Sequence, residues 1–201
     1  MDLFTTPGIM PNLLPYDGEA IFCGAVLSQP EAQQYFDLLM ATIPWKNDEV
    51  VIYGKKIITK RKVAWFGDSD FSYTYSNVTR TALPWTAGLL ELKMLAEAHS
   101  GTVFNSCLLN LYHSGEEGMS WHSDDEKELG ENTVITSLSL GAARRFAFRH
   151  KITKEKAELV LGNGDLMIMQ GSTQKHWQHS LLKSVKVKHP RINLTFRTFT
   201  F

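Results

Sequence analysis

The pattern that most limits the fold of this chain is a change of periodicity at Gly101. Upstream, two segments carry apolar residues at helical spacing, whereas the segments downstream are rich in β-branched, aromatic and alternating residues. Strands are predicted over residues 103–112, 133–140, 145–149, 158–169 and 192–201, with a turn at Gly162-Asn163-Gly164-Asp165. Helices followed by strands in this order predict an α+β domain whose antiparallel sheet has one face covered by the helices.

Both upstream helices have recognisable ends. Ser28 and Glu31 have the spacing of a capping box, and Pro30 suits a first helical turn. The second helix is expected over about 86–100, with Gly101 as its stop. The apolar stripes are Ala32, Phe36, Leu39, Met40 and Ile43 in the first helix and Leu89, Leu92, Leu95 and Ala96 in the second. We expect both helices to be scaffold rather than site.

Length and composition predict a single domain. The chain has 201 residues, of which 43% are hydrophobic and 21% charged, so one domain over residues 1–201 is expected. Prolines and glycines in residues 1–20 predict a flexible N-terminal arm. The sequence has neither a signal-peptide pattern nor a run of about 20 apolar residues that could span a membrane. A cytoplasmic protein, nuclear in a eukaryote, is expected, and it should be monomeric because no exposed apolar stripe is apparent.

Charge is balanced in total but segregated along the chain. The 21 basic and 21 acidic residues give no net charge that would indicate nucleic-acid binding. Basic residues nevertheless cluster within 55–62 and 144–156, and acidic residues cluster within 124–131. Such runs are common on solvated surfaces, so folded proximity decides whether they form a binding surface.

His122, Asp124 and His179 form a candidate metal site. Two imidazoles and one carboxylate can hold one face of an octahedral ion and leave three positions open, as in non-haem Fe(II) oxygenases. The segment 120–124 interrupts the strand pattern, but residues two apart in extended backbone point to the same side and can chelate together. His176 is a rival for the third position. A turn histidine and a distant surface histidine are the simpler interpretation of these residues alone.

Polar and apolar residues alternate along the last predicted strand. One face carries Arg191, Asn193, Thr195 and Arg197, and the other carries Ile192, Leu194 and Phe196. A guanidinium binds a carboxylate through two parallel hydrogen bonds, so two arginines at this spacing suit a dicarboxylate such as 2-oxoglutarate. The same alternation is also typical of a half-exposed strand.

Five blocks of the sequence resemble, in order, those of the AlkB-like Fe(II)/2-oxoglutarate dioxygenases that repair alkylated nucleic acid. They are Asn110-Leu111-Tyr112, His122-Ser123-Asp124-Asp125-Glu126, Ser137-Leu138-Ser139-Leu140-Gly141, His176-Trp177-Gln178-His179-Ser180 and the run 191–197. The run 146–151 and the stretch around Tyr53 are similar to the branch with the human nuclear DNA-repair homologues. The resemblance implies a double-stranded β-helix, or jelly roll, with the N-terminal helices packed on one sheet.

The resemblance also implies a catalytic site. His122, Asp124 and His179 would bind Fe(II), with His179 preferred over His176, and 2-oxoglutarate and dioxygen would be co-substrates. The 2-oxoglutarate pocket maps onto Asn110, Tyr112, Arg191, Asn193, Thr195 and Arg197. The implied reaction hydroxylates the N-methyl group of a base such as 1-methyladenine or 3-methylcytosine in DNA. Loss of formaldehyde then restores the base, which is direct-reversal repair by demethylation.

The implied substrate contacts lie in a nucleotide-recognition region of about 45–82 and beside the metal ligands. Aromatic faces and carboxylates suit the positive charge of such bases. The corresponding residues are Ile52, Tyr53, Gly54, Tyr73, Thr74, Tyr75, Asp125 and Glu126, with Lys60, Arg61 and Lys62 on the DNA backbone. Tyr53 is predicted to wedge into a duplex from a hairpin over 50–58 whose tip is Gly54. A plain hairpin and half-core packing of the tyrosines are the simpler interpretations.

Alkylated DNA, single- or double-stranded, is the expected partner, and three other functions compete. An RNA demethylase would meet single strands, which present their bases without wedging. Other jelly-roll dioxygenases hydroxylate proteins or small molecules, and fold alone does not separate these activities. A nucleic-acid-binding protein that has lost catalysis is the third alternative, and the intact ligand set argues against it.

Overall fold

The computed structural model describes residues 10–52, 55–69, 71–75 and 78–200, with the backbone alone at 50–52, 55–56, 72–75 and 78–80. The first half contains β1 (Glu19–Ala25), α1 (Gln29–Thr42), β2 (Lys46–Ile52), β3 (Lys55–Gly67), β4 (Ser72–Tyr75), β5 (Val78–Thr81), β6 (Leu83–Pro84) and α2 (Ala87–Ser100). The second half contains β7 (Ser106–Tyr112), β8 (Met119–His122), a 3-10 turn (Lys127–Leu129), β9 (Ile135–Gly141), β10 (Arg144–His150), β11 (Lys156–Leu161), β12 (Asp165–Gln170), α3 (Thr173–His176), β13 (Trp177–Leu181) and β14 (Arg191–Arg197).

Two sheets contain most of these strands. The larger has the order β1-β12-β9-β14-β7-β3-β2, with β6 paired to β3, and the smaller has the order β11-β10-β13-β8. Strands β4 and β5 form a separate ribbon. Among the pairings of the described strands, only β3 with β6 is parallel. The predicted α+β jelly roll with antiparallel sheets is therefore confirmed.

The two long helices pack on the outer face of the larger sheet. Leu39, Leu89 and Leu92 are buried in one core cluster with Leu138 and Leu194 of that sheet. In α1 the stripe is narrower than predicted, because Met40 lies off it and stays 37% exposed. Each helix has 14 residues, and within the described part of the chain no helix is long and apolar enough to span a membrane.

The capping box predicted at Ser28 is present at the start of α1. The Ser28 side chain accepts a hydrogen bond from the Glu31 N–H, and the Glu31 carboxylate accepts one from the Ser28 N–H at 2.9 Å. At the other helix, Thr86 is the N-cap of α2, and Gly101 ends it with a φ of +66°. The helix boundaries inferred from the sequence are therefore confirmed.

Replacing Ser28 with alanine should lower the free energy of unfolding by about 1 kcal/mol, because the substitution leaves helix N–H groups without a partner. Urea denaturation followed by circular dichroism measures the effect. Gln33→Ala, at an exposed site in the same helix, is the matched control and should change stability by less than about 0.5 kcal/mol. Equal losses in both variants would contradict a specific capping role.

The strand prediction is right in type but incomplete. Its segment 158–169 forms two strands, β11 and β12, joined at the predicted turn, where the Gly162 N–H donates to the Asp165 carboxylate at 2.6 Å. Strands β8 and β13, with four and five residues, were not predicted, because they are too short to show a periodicity of their own. Helix α3, of four residues, was not predicted either, and it lies between the predicted strands 158–169 and 192–201.

The N-terminal segment contacts the domain from Asn12 onward, where Asn12 forms a β-bridge with Ile21. Residues 1–9 of the predicted flexible arm lie outside the described residues, and the arm's last two residues, Glu19 and Ala20, already belong to β1. Between them, Leu14 is only 2% exposed, and the Trp177 indole N–H donates to the Tyr16 carbonyl at 3.0 Å. Burial of Leu14 and this hydrogen bond hold the described part of the arm against the domain.

Candidate metal and co-substrate site

The three predicted metal ligands converge at one edge of the smaller sheet. His122 ends β8 and pairs directly with His179 of β13, and Asp124 follows in the next loop. The ligand atoms of the trio lie within 4.8 Å of one another. Nε2 of His122 is 3.6 Å from Oδ1 of Asp124, and Nε2 of His179 is 4.0 Å from Oδ2. The structure thus brings His179, rather than His176, to the other two ligands.

The protonation states of the trio fit a divalent metal. Nδ1 of His122 donates to the Ser120 carbonyl at 2.8 Å, which leaves the Nε2 lone pair directed at the centre. Burial lowers the pKa of His179 to about 3, so its imidazole is neutral at neutral pH. Burial alone would raise the pKa of Asp124, but Arg197 and the two imidazoles outweigh it and bring the pKa to about 2. Two imidazoles and an ionised carboxylate are the donor set of a non-haem Fe(II) site.

Arg197 lies against the metal-binding carboxylate. Its Nη2 is 2.7 Å from Oδ2 of Asp124, and its Nη1 is 4.0 Å from Glu126. The side-chain oxygen of Gln174 accepts a hydrogen bond from the Asp124 N–H at 2.9 Å. Arg197 therefore pairs with the carboxylate of a candidate metal ligand, and its predicted contact with a dicarboxylate stays a prediction. Gln174 was not predicted as a site residue, because it lies 50 residues from Asp124 in a helix that was not predicted.

Arg191 is a buried cation surrounded by neutral partners. It is 2% exposed, and its Nη2 donates to Ser139 Oγ at 2.8 Å and to Asn193 Oδ1 at 2.9 Å. The Tyr112 ring centroid lies 5.8 Å from the guanidinium carbon. Burial lowers the pKa of Arg191 to about 10, so the group stays charged at neutral pH. No carboxylate of the described residues forms an ion pair with it, and a buried charge of this kind favours an anionic ligand.

Strand β14 is buried along its whole length. All seven of its residues are buried, the apolar ones against the helices and the polar ones toward the space between the sheets. Asn193 and Arg191 stand opposite Asn110 and Tyr112 of β7. The half-exposed strand, which was the simpler interpretation of the alternation, is therefore wrong. Its polar face lines an internal cavity.

The cavity between the sheets has a volume of about 440 Å³ and contains both the trio and the polar row of β14. This volume is in the range of small-molecule sites. The predicted metal and 2-oxoglutarate residues that line it are His122, Asp124, His179, Asn110, Tyr112, Arg191, Asn193, Thr195 and Arg197. A metal site and a pocket for an anion thus share one enclosed space.

Comparison with known proteins identifies the family. A model described as the 2OG-Fe(II) oxygenase superfamily matches residues 19–197. The human DNA oxidative demethylase ALKBH2 is 38% identical over 183 residues, which are 86% of this chain and 70% of that protein. The chain belongs to the 2OG-Fe(II) oxygenase superfamily, among the AlkB homologues.

Two further relatives extend this comparison. The oxygenase is 39% identical to the alpha-ketoglutarate-dependent dioxygenase alkB homolog 3 of Bos taurus, over 88% of this chain. The match spans 64% of that relative, so the chain covers less than two thirds of its length. The solved structure of OsALKBH1 superposes with a TM-score of 0.63 over 92% of this chain and 99% of the other, at 13% identity. This last likeness concerns the fold alone.

The predicted substrate residues of the oxygenase differ in location. Asp125 lies at the cavity with 69% of its side chain exposed, 3.8 Å from the Lys151 ammonium. Glu126 turns toward Arg197, and burial raises its pKa although Arg197 opposes the effect. Tyr53 and Gly54 lie outside the described residues, as do the side chains of Ile52, Tyr73, Thr74 and Tyr75, although strands β2 and β4 contain the last four.

The predicted contacts to the DNA backbone do not form one surface in the oxygenase. Lys60 is exposed and Lys62 is half-buried. Arg61 lines the cavity instead, in an ion pair with the buried Asp48. The assignment of Arg61 to phosphate contacts is therefore corrected. Residues alternate in direction along β3, so the middle member of the basic run points inward while Lys60 reaches solvent.

A second group of potential ligands lies apart from the residues that line the cavity of the oxygenase. Asp17, His150 and His176 also place ligand atoms within 4.8 Å of one another. The Thr153 N–H donates to Nδ1 of His150 at 3.1 Å, so a neutral imidazole carries its proton on Nε2. That atom lies 3.5 Å from the Asp17 carboxylate. We interpret this group as a polar contact between the N-terminal segment and β10, because the protonated Nε2 offers no lone pair to a metal.

Proposed function

We propose that this oxygenase demethylates N-alkylated bases in DNA with Fe(II), 2-oxoglutarate and dioxygen. The observation that carries the proposal is the convergence of two imidazoles and an ionised carboxylate in the same cavity as the buried cation Arg191. Fe(II) would be held by His122, Asp124 and His179, and with dioxygen as the oxidant it would supply the coupled oxidation of the co-substrate and of the methyl group. The printed names of two relatives, a DNA oxidative demethylase and an alpha-ketoglutarate-dependent dioxygenase, support this activity.

The protein side chains position the reactants. Arg191 binds a carboxylate of 2-oxoglutarate, and Ser139 and Asn193 fix the guanidinium in place. Arg197 holds the Asp124 carboxylate in the orientation that the metal needs. The remaining pocket residues assigned to 2-oxoglutarate are Asn110, Tyr112 and Thr195. The two sheets bury the inner part of the cavity, so Arg191 and His179 are shielded from water.

The substrate enters from the side where Asp125 is exposed. The Asp125 carboxylate offers negative charge to a cationic base such as 1-methyladenine or 3-methylcytosine. Strands β2 and β3, within the region 45–82, also border the cavity, which supports their assignment to nucleotide recognition. Lys60 and Lys62 remain the proposed phosphate contacts, and Ile52, Tyr73, Thr74, Tyr75 and Glu126 remain proposed base contacts. The monomeric state and the cytoplasmic or nuclear location stay predictions.

The decisive test is release of formaldehyde from oligonucleotides that contain 3-methylcytosine. With Fe(II) and 2-oxoglutarate we expect formaldehyde, succinate and repaired cytosine in equal amounts, and no formaldehyde from the unmethylated oligonucleotide. The same base in RNA, and a set of peptides, serve as competing substrates. Succinate formation with peptides and no repair of either nucleic acid would overturn the proposal, and repair of RNA alone would replace DNA as the substrate.

Replacing Tyr53 with alanine should reduce duplex repair about tenfold more than single-strand repair, because only the duplex requires a wedge to extrude the base. Parallel kcat/KM measurements on the two forms of one oligonucleotide give the ratio. Ile58→Ala is the control on the same hairpin, since that side chain is 63% exposed and lies outside the proposed wedge. Equal losses of Tyr53→Ala on both forms would exclude the wedge.

A further inference from the structure

Asp48 and Arg61 form a buried ion pair in the wall of the cavity. Asp48 lies on β2 and Arg61 on β3, and their side chains are 3% and 11% exposed. Both line the same cavity as the metal ligands, and an Nη2 of Arg61 contacts Oδ2 of Asp48. Neither residue has a role in the site described above. Their burial places a pair of opposite charges in the wall of the cavity that is proposed to take the substrate base.

The other contacts of Arg61 connect it to both halves of the site. Its Nη1 lies 2.8 Å from the sulfur of Met119, three residues before His122 on β8. The Tyr112 side chain of the 2-oxoglutarate pocket also hydrogen-bonds to it. Burial would lower the pKa of Arg61, but Tyr112 and Asp48 outweigh it, so the pKa is raised and the group stays charged. The Met119 thioether is a weak hydrogen-bond acceptor. The Asp48 carboxylate, which is charged, is therefore the stronger of these two partners of Arg61.

The charge of Arg61 matters because of the bases that the cavity is proposed to take. A guanidinium in a largely buried wall acts on a bound base through a medium that screens it less than water does. Alone, it would repel a cationic base and leave a neutral one almost unaffected. Asp48 offsets that repulsion because its opposite charge touches the same guanidinium.

We propose that Asp48 is a specificity-determining residue, which cancels the charge of Arg61 so that the cavity prefers cationic over neutral alkylated bases. This inference rests on the proposed function, since it concerns the substrate of the same site. It concerns the β2–β3 wall of the cavity and is independent of Asp125, which follows Asp124 in the loop after β8.

The test compares two oligonucleotides of one sequence, one with cationic 3-methylcytosine and one with neutral 3-methylthymine. Asp48→Asn keeps the shape and removes the charge, so kcat/KM for 3-methylcytosine should fall about tenfold, whereas that for 3-methylthymine should change less than about twofold. The double variant Asp48→Asn with Arg61→Gln should restore most of the original ratio, because the repelling charge is also gone. Asp37→Asn, an exposed carboxylate on α1, is the control and should leave the ratio unchanged.

The ratio between substrates is independent of the fraction of each variant that is folded. Equal losses on both bases would show that the pair is merely structural and would overturn the inference. A double variant that keeps the altered ratio would overturn it as well, because Asp48 would then act without Arg61. Fluorescence anisotropy with the metal-free protein and the same oligonucleotides gives the ratio of binding constants without turnover. If the ratio of binding constants shifts in Asp48→Asn but wild type releases no formaldehyde, the proposed function is overturned and this inference is retained.

Discussion

Replacing Asp124 with alanine should abolish turnover, with kcat/KM falling at least about a thousandfold. The carboxylate is one of three convergent donors, and its loss leaves two imidazoles, which alone bind a divalent ion weakly. The substitution also removes the anionic partner that lies 2.7 Å from Arg197, so the site gains an uncompensated buried cation. Formaldehyde release and anaerobic titration with Fe(II) measure the two consequences.

The variant Asp124→Asn separates these effects, because an amide oxygen can still accept a hydrogen bond from Arg197. It should unfold near the wild-type temperature and still bind Fe(II) poorly. Asp37→Ala on the outer side of α1 is the matched control and should retain both activity and metal affinity. Metal binding that survives in both Asp124 variants would show that the ligand set has been misassigned.

Replacing Arg191 with methionine should raise the KM for 2-oxoglutarate at least about a hundredfold, because a buried guanidinium–carboxylate contact is lost. The metal-free protein without ligand should be at least as stable as wild type, since methionine removes a buried charge that has only neutral partners. Thermal unfolding with and without 2-oxoglutarate measures both effects, and wild type alone should show a rise in Tm with the ligand.

Arg145→Met provides the comparison for this substitution. Arg145 lies on β10 with 63% of its side chain exposed and pairs with Glu158 at the surface. Its replacement should leave the KM for 2-oxoglutarate unchanged. An Arg191→Met variant whose Tm still rises with 2-oxoglutarate as it does in wild type would rule out this arginine as the anchor. Arg191→Lys should bind weakly, because an ammonium cannot form two parallel hydrogen bonds.

Local periodicity predicted those parts of the site that depend on one stretch of chain. In extended backbone, residues two apart point to the same side. This rule predicts the polar face of β14, which pairs with β7, and the shared direction of His122 and Asp124 at the end of β8, which pairs with β13. The choice of His179 over His176 depended on the family resemblance, since both lie in the same short block. The structure separates them because His179 is in register with His122.

Other parts of the site depend on tertiary contacts that no spacing reveals. The sequence shows three basic residues at 60–62 as one run, but the pleat of β3 and the carboxylate of Asp48 turn Arg61 inward. Likewise, the contact of Arg197 with Asp124 joins residues 73 positions apart in the chain (197 − 124). Such contacts form only when the two sheets meet. Alternation alone could therefore place Arg197 at the cavity, but it could not identify Asp124 as its partner.

Because β14 is buried on both faces, it links the folding stability of the protein to the binding of its ligand. Leu194 packs beneath the helices, while its neighbours Asn193 and Thr195 line the pocket, so a single strand belongs to the core and to the ligand cage together. A ligand that binds only the folded state raises the free energy of unfolding by an amount that grows with the ratio of its concentration to its Kd. The concentration of 2-oxoglutarate would therefore affect the free energy of unfolding of the protein as well as the rate of its reaction. Conversely, a void opened at Leu89, which shares a core cluster with Leu194, should lower the free energy of unfolding, and bound 2-oxoglutarate should offset part of that loss.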